Sequence, residues 1–521
     1  MAMAMMAALF VACGDDGTDD ETPPPAVPTI ALDGGDIDQP QEITNPMSVK
    51  IGVTAPGAIA GFTVTIDSPA LTAEMLATVG LATELNLVNP GSMAEALGAL
   101  GFPSGEAVSG KTALTFDISK LVPMIAQIYN ETSDHKFILK VTDAKGKSTT
   151  KTLTCHLTGK VALAYNNDAD LWANTATVTA ANVPDGGSVQ YRVKGAADWT
   201  DAVLVEGSKY RLAPVYETSK NAAGLDVHTI KAGTGVFAAT NYEVRIAKDG
   251  QTVDSKEFAT AAGDKIPNGD MSGWSTVSRA GLGSSRAGLG SSADVAYPNA
   301  EGADAFWDCG NNGVTTTLCV STEEKFGKAV PAAKLASMDM FVLAAGNLFT
   351  GSFNYASFTG TVDFGRKYAW TARPSALKLK YTATVGAIDM VRTSGDVLEG
   401  VAKGDPDNAR IFVAIVDWTA PHQVVSGMTT TEGAWDPVKA NTVAEGKIIG
   451  YGSLTIPASE SDASDAALKD TELPIYWYDK TAKPAEGNYS LVISCACNAY
   501  GDFFTGCSKN TMYVDDFEWV Y

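Results

Sequence analysis

The sequence predicts an all-β chain of several domains, and three observations carry that prediction. Short stretches with an apolar residue at every second position recur throughout, among them SVKIGVTA, FTVTID, HKFILKVTD and SVQYRVKG. That alternation belongs to strands with one buried face and one solvated face. Glycine and proline are frequent, 50 and 23 in number, and provide turns between such stretches. The chain has 521 residues, which exceeds what one hydrophobic core supports, so about three or four domains are expected. An apolar content of 45% against 19% charged residues is that of a folded, globular chain. The formal net charge of -22 excludes nucleic acid as a partner, because a phosphate backbone is held by clustered Lys and Arg. The acidity either keeps a displayed protein soluble or suits an uncharged or basic partner.

The chain opens with MAMAMMAALFVAC, an apolar run too short to cross a bilayer. It reads as the apolar part of a signal peptide covering residues 1–13. LFVAC resembles a lipobox, which implies lipidation of Cys13 after cleavage behind Ala12. Two features depart from that pattern: Phe10 stands three places before the cysteine, with Leu9 one place earlier, and no Lys or Arg precedes Lys50. Residues 14–28, beginning GDDGTDDETPPP, form an acidic, proline-stiffened tether similar to the export tag of Gram-negative surface lipoproteins. The expectation is an outer-membrane lipoprotein exposed at the cell surface, with periplasmic retention as the alternative.

Residues 29–159 read as an immunoglobulin-like sandwich with a helical insertion. Residues 70–102 carry helical spacing of Leu, Met and Ala, KLVPMIAQIYN adds a further turn or two, and the apolar stripe is expected to join the core. Residues 160–263 resemble a fibronectin type III module through QYRV, DWT and NYEVRI. In that resemblance Tyr242 takes the tyrosine-corner position, and the module serves as a spacer. The last domain runs from 264 to 521. Its tandem heptad SRAGLGS, at 278 and 285, is Gly- and Ser-rich and is read as a flexible loop or a recent duplication; no helical pattern follows to make a phosphate cradle of it. RIFVAIVDW and YSLVIS are nearly continuous apolar runs, as in central strands covered on both faces. LKLKYTAT alternates, and the final VDDFEWVY is expected beside the strand opened by NGDM.

Apart from Cys13, the cysteines are Cys155, Cys309, Cys319, Cys495, Cys497 and Cys507. Outside the cytoplasm they can pair, with Cys309–Cys319 and Cys507 to Cys495 or Cys497 as the options. Zinc is disfavoured, because the four histidines are scattered and no CxxC pair exists.

Seven motifs in order, NGDMSGW, AFWDCGNNG, LAAGNLFTGSF, TARPSALKLKYTAT, RIFVAIVDW, ELPIYWYD and the closing YSLVISCACNAYGDFFTGCSKNTMYVDDFEWVY, resemble the putative carbohydrate metabolism domain. The resemblance covers about 266–521. Cys495, Cys497 and Cys507 depart from it, standing where the family tends to have Ser or Gly. It implies a C-terminal jelly-roll β-sandwich resembling carbohydrate-binding modules and a role in glycan handling.

Sugars are bound by aromatic rings stacked on their C–H faces and by amides and carboxylates that meet their hydroxyls. The candidates are Trp307, with Asp308, Asn311 and Asn312 in the adjoining Gly-containing loop, then Asn347 and Phe349, then Trp370 and Trp418, which also suit core packing. Trp307 is placed at the mouth of a loop. Asp270 and Asp515 are candidates to share a structural calcium, the alternative being that each completes a turn. A glycosidase needs two carboxylates flanking the scissile bond. Asp502, Asp515, Asp516 and Glu518 are the obvious carboxylates, but none is assigned a catalytic role. No histidine sits in a nucleophile context and no cofactor fingerprint occurs. The expected partners are a glycan or polysaccharide and, through the lipid, a membrane. The function expected is glycan binding, with a glycoside hydrolase and an adhesin as the alternatives.

Overall fold

The computed structural model describes residues 26–282, 292–322, 331–356, 359–393, 398–427, 435–460 and 468–521. Cys13, the signal segment, nearly all of the tether and the second SRAGLGS heptad lie outside the described residues. The chain divides into two compact units, Met1–Ala162 and Leu163–Tyr521. Strands dominate both, and no helix among the described residues is long and apolar enough to cross a membrane.

In the first unit a three-stranded sheet (Thr29–Leu32, Lys50–Thr54, Ala113–Asp117) accompanies a five-stranded one. The central strands of the larger sheet are Ile59–Asp67, Ser133–Asp143 and Ser148–Leu157. Alternation is visible in Lys50–Thr54, where only Ile51 and Val53 are buried. The helical insertion is broken in two. Ala73–Thr78, capped by the Thr72 hydroxyl accepting from Met75 N–H at 3.2 Å, is separated from Ala94–Leu100 by the strand Glu84–Asn86. Leu76 and Leu97 point into the same core as the strands, as do Val122 and Ile125 of Val122–Ile128.

The second unit begins with a small sandwich of two four-stranded sheets. Tyr242 opens the strand Asn241–Lys248, is buried, and its hydroxyl accepts from Phe237 N–H at 2.8 Å, the geometry of a tyrosine corner. The hairpin Tyr216–Lys220/Asp226–Ile230 leaves this sandwich and joins the large C-terminal sheet through His228 opposite Trp477.

That large sheet runs through Gly446–Pro457, Asn408–Trp418, Tyr489–Ala496, Asn347–Ala356, Thr359–Phe364 and His422–Val425. A five-stranded sheet built on Ala376–Thr384 and Thr511–Val520 accompanies it. Leu348, Ile411, Val413, Ile415, Leu491 and Ile493 project into the core shared with Leu377, Leu379 and Val514. The other face of Asn408–Trp418 buries Phe412, Ala414, Val416 and Trp418, so this strand is covered on both sides. The final strand departs from expectation. It pairs with Ala332–Ala336 and Ala376–Thr384, and meets the NGDM turn where Phe517 N–H donates to Gly269 O at 2.7 Å. Ser275–Arg279, the strand after NGDM, pairs instead with Ala293–Tyr297.

The two parts of the second unit share a core. Trp172, from the small sandwich, sits 5.7 Å from Trp370 and 6.0 Å from Trp477, ring centre to ring centre, and its indole N–H donates to Ala482 O. The Arg373 guanidinium lies over both Trp172 and Trp477 at 4.9 and 4.4 Å, and its Nε donates to Trp172 O.

Candidate functional site

Several residues singled out from the sequence turn out to hold the fold together. Trp307 is fully buried; its indole N–H donates to Pro267 O at 2.7 Å and its ring lies 5.0 Å from Phe517. It has no exposed face for a sugar, which corrects its placement at a loop mouth. Asp308 is buried, with both carboxylate oxygens accepting from Arg279 Nη2, at 2.8 and 2.9 Å, and it also accepts from Cys309 and Phe353 N–H. Burial pushes its carboxyl up even against Arg279. Asn311 exchanges two bonds with the Cys319 backbone and donates to Ala296 O. These amides and carboxylates satisfy backbone groups, so the polar look of AFWDCGNNG reports a buried turn. Trp370 and Trp418 are also buried, the first bonded to Ser490 and the second packed 5.3 Å from Trp435, so neither offers a free ring.

Asp270 is exposed and accepts from Ser272, while the buried Asp515 accepts from Asp516 N–H. Asp270 thus closes a turn with Ser272, as in the turn alternative. The six described cysteines are unpaired and buried. Cys309 and Cys319 are hydrogen-bonded neighbours, and burial raises the Cys319 thiol well above its usual range.

A cleft of about 190 Å³ opens on the face of the large sheet that is turned away from the core. Its floor follows from period-two alternation: Phe349 and Phe353 on Asn347–Ala356, Val362 and Phe364 on Thr359–Phe364, Phe412 on Asn408–Trp418 and Val424 on His422–Val425. Register makes these residues contiguous, with Phe353 opposite Val362, Val362 opposite Val424, and both Phe349 and Phe412 opposite Ser494. Trp435 completes the floor, 5.4 Å from Phe364 and 5.2 Å from Phe412. Asn312 and Asn347 do line the cleft, but Asn312 ties its own turn and the Asn347 side-chain amide oxygen accepts from Gly310 N–H. Phe349 lines it as well and is only 2% exposed.

Two loops form the rim. The hairpin Met338–Asp339/Leu343–Ala344 carries at its tip Phe341, which is 86% exposed and has φ +74°. A bulky residue in the left-handed region is strained, and an exposed aromatic gains nothing from the fold there. The other loop, residues 498–507, is anchored by the buried Asp407, whose carboxylate accepts from Asn498, Cys507 N–H and Asn510 at 2.7, 2.7 and 2.9 Å. Asn498 accepts in turn from Ser337, which accepts from Gly346 N–H, so one buried network holds both rims. This loop carries the half-buried Asp502 and Phe504. Desolvation pushes the Asp502 carboxyl up to about 6. Arg410, also on the wall, is held by Asp436 in a bidentate pair at 3.0 and 2.6 Å. Burial alone would raise Asp436, but Arg410 outweighs that and holds its carboxyl below the usual range.

The sequence reading missed Phe341, Phe353, Phe364, Phe412 and Trp435 as wall residues. No local signal marks them as a group, because strand pairing brings them together from positions nearly a hundred residues apart.

Residues 291–520 match the family described as putative carbohydrate metabolism domain. A search of curated proteins gave no match. Among solved structures the chain is similar to a putative glycoside hydrolase from Bacteroides thetaiotaomicron, at 15% identity, covering 65% of this chain and 98% of that one, TM-score 0.30. A second putative glycoside hydrolase, from Bacteroides vulgatus, shows 18% identity, coverage of 50% and 94%, and TM-score 0.30. Carbohydrate-binding modules of the β-sandwich superfamily match at 9% identity, coverage of 96% and 100%, and TM-score 0.18.

Proposed function

We propose that the chain is a glycan-binding protein whose site is the aromatic cleft on the large sheet, a reading supported by the match of residues 291–520 to the putative carbohydrate metabolism domain. The observation that carries this reading is Phe341: an exposed, strained aromatic at the rim of a cleft floored by aromatic rings is the arrangement that stacks on the C–H face of a sugar. Asp502 is the one carboxylate lining the cleft among the described residues, whereas glycoside hydrolysis uses two across the scissile bond, and this favours binding. The proposal extends to display at the outer-membrane surface through lipid on Cys13, supported by LFVAC and the acidic tether that follows it.

A glycan array probed with the full chain carrying Cys13→Ser tests the binding reading. A defined set of glycans is expected to bind, and Phe341→Ala is expected to weaken them by about 1–3 kcal/mol with an unchanged melting temperature. Binding that is indifferent to Phe341 would move the site elsewhere. The anchor is tested by mass spectrometry of the mature N-terminus: a diacylglyceryl-modified Cys13 is expected, and an unmodified peptide starting elsewhere removes the anchor.

A further inference from the structure

The charge lining the cleft is unbalanced. Only two charged side chains, Arg410 and Asp502, line it among the described residues, and Arg410 is already neutralised by Asp436. Asp502 has no cationic partner among the described residues that line the cleft, burial raises its carboxyl, and its backbone is held by Gly427 N–H donating to Asp502 O at 2.7 Å. Gly501 lies so close to the Ala345 side chain that an added Cβ would be 2.8 Å from it, so this loop packs directly against the opposite rim. A partly desolvated carboxylate without a counter-charge gains from an incoming cation. The aromatic walls favour the same occupant, since ring faces attract cations.

We propose that the cleft takes a sugar ring bearing a cationic amino group, with the Asp502 carboxylate as its counter-ion. This rests on the reading of the cleft as a glycan site. A neutral acylamino group on the same ring would leave Asp502 uncompensated, so the site discriminates by charge as well as by shape.

The test is calorimetric titration of the full chain with two probes of equal length, glucosamine oligomers and N-acetylglucosamine oligomers. The glucosamine oligomer is expected to bind at least about tenfold more tightly, a difference of about 1.4 kcal/mol. Asp502→Asn is expected to abolish that preference and Asp502→Glu to retain it. Attraction of a cationic oligomer to the acidic surface as a whole is nearly the same in all three proteins, so the variants isolate the pair. Equal affinity for the two probes in the wild type, or a preference that survives Asp502→Asn, overturns the proposal. If Asp502→Asn does not fold, Asp502→Ser takes its place, with the same loss of preference expected and a surviving preference overturning the proposal. Loss of array binding in Phe341→Ala alongside equal affinities leaves the cleft reading standing and removes the charge assignment alone.

Discussion

Trp307 shows how a residue's neighbours in sequence mislead about its environment. AFWDCGNNG reads as a polar loop, but its Asp and Asn side chains are spent on backbone groups, which draws the loop inward and buries the tryptophan. Trp307→Ala is therefore expected to cost about 3–5 kcal/mol of folding stability, read by thermal melting, while the folded fraction keeps its glycan affinity. Asp502 is the opposite case: the sequence picked it out as one of four obvious carboxylates without a role, and its character comes from its place in the cleft, where burial raises its carboxyl. Its carboxyl titrates near 6, above its ordinary value, so it is protonated below that pH and loses its attraction for a cation. Affinity for the glucosamine oligomer is expected to fall as pH drops from 7 to 5, and Asp502→Asn to flatten that profile. Other charged groups around the cleft are the Arg410–Asp436 pair, Arg392 stacked on Phe504, and His422, paired with Glu445 behind Trp435. A slope that persists in Asp502→Asn would assign the effect to one of these.

At the scale of elements, strand content was legible because alternation survives wherever one face is wet, as in Lys50–Thr54. The helical insertion was legible as helix and as core, but not as two helices flanking a strand, since the short run ELN carries no periodicity of its own. RIFVAIVDW was readable as a doubly covered strand, yet a continuous apolar run does not say which face meets the core and which meets a cleft. The rim depends on a close approach. Gly427, at φ +75°, lies under the Phe504 ring, and an added Cβ would fall 2.2 Å from it. Gly427→Ala is expected to displace Phe504 and the Asp502 loop, lowering glycan affinity and costing about 1–3 kcal/mol of stability. Unchanged affinity in that variant would show that the loop takes no part in binding.

Across the whole molecule, the sequence suggested a spacer at 160–263, but the structure makes this segment part of the same compact unit as the large C-terminal sheet. Trp172 fills a place between Trp370 and Trp477, and Arg373 bridges the two parts. Such a joint is invisible in sequence because its partners lie some two hundred residues or more apart. Residues 163–521 are expected to melt cooperatively without the first unit. Residues 264–521 alone, which would expose the Trp370, Arg373 and Trp477 faces, should be less stable by about 3 kcal/mol or more. The central claim is that a glycan sits in the aromatic cleft, and the most direct measurement is a crystal structure of residues 163–521 with a glycan selected on the array. The account predicts a sugar ring stacked on Phe341 within reach of Asp502, over the floor formed by Phe353, Phe412 and Trp435. A ring bound anywhere else on the molecule, with this cleft empty, would contradict it.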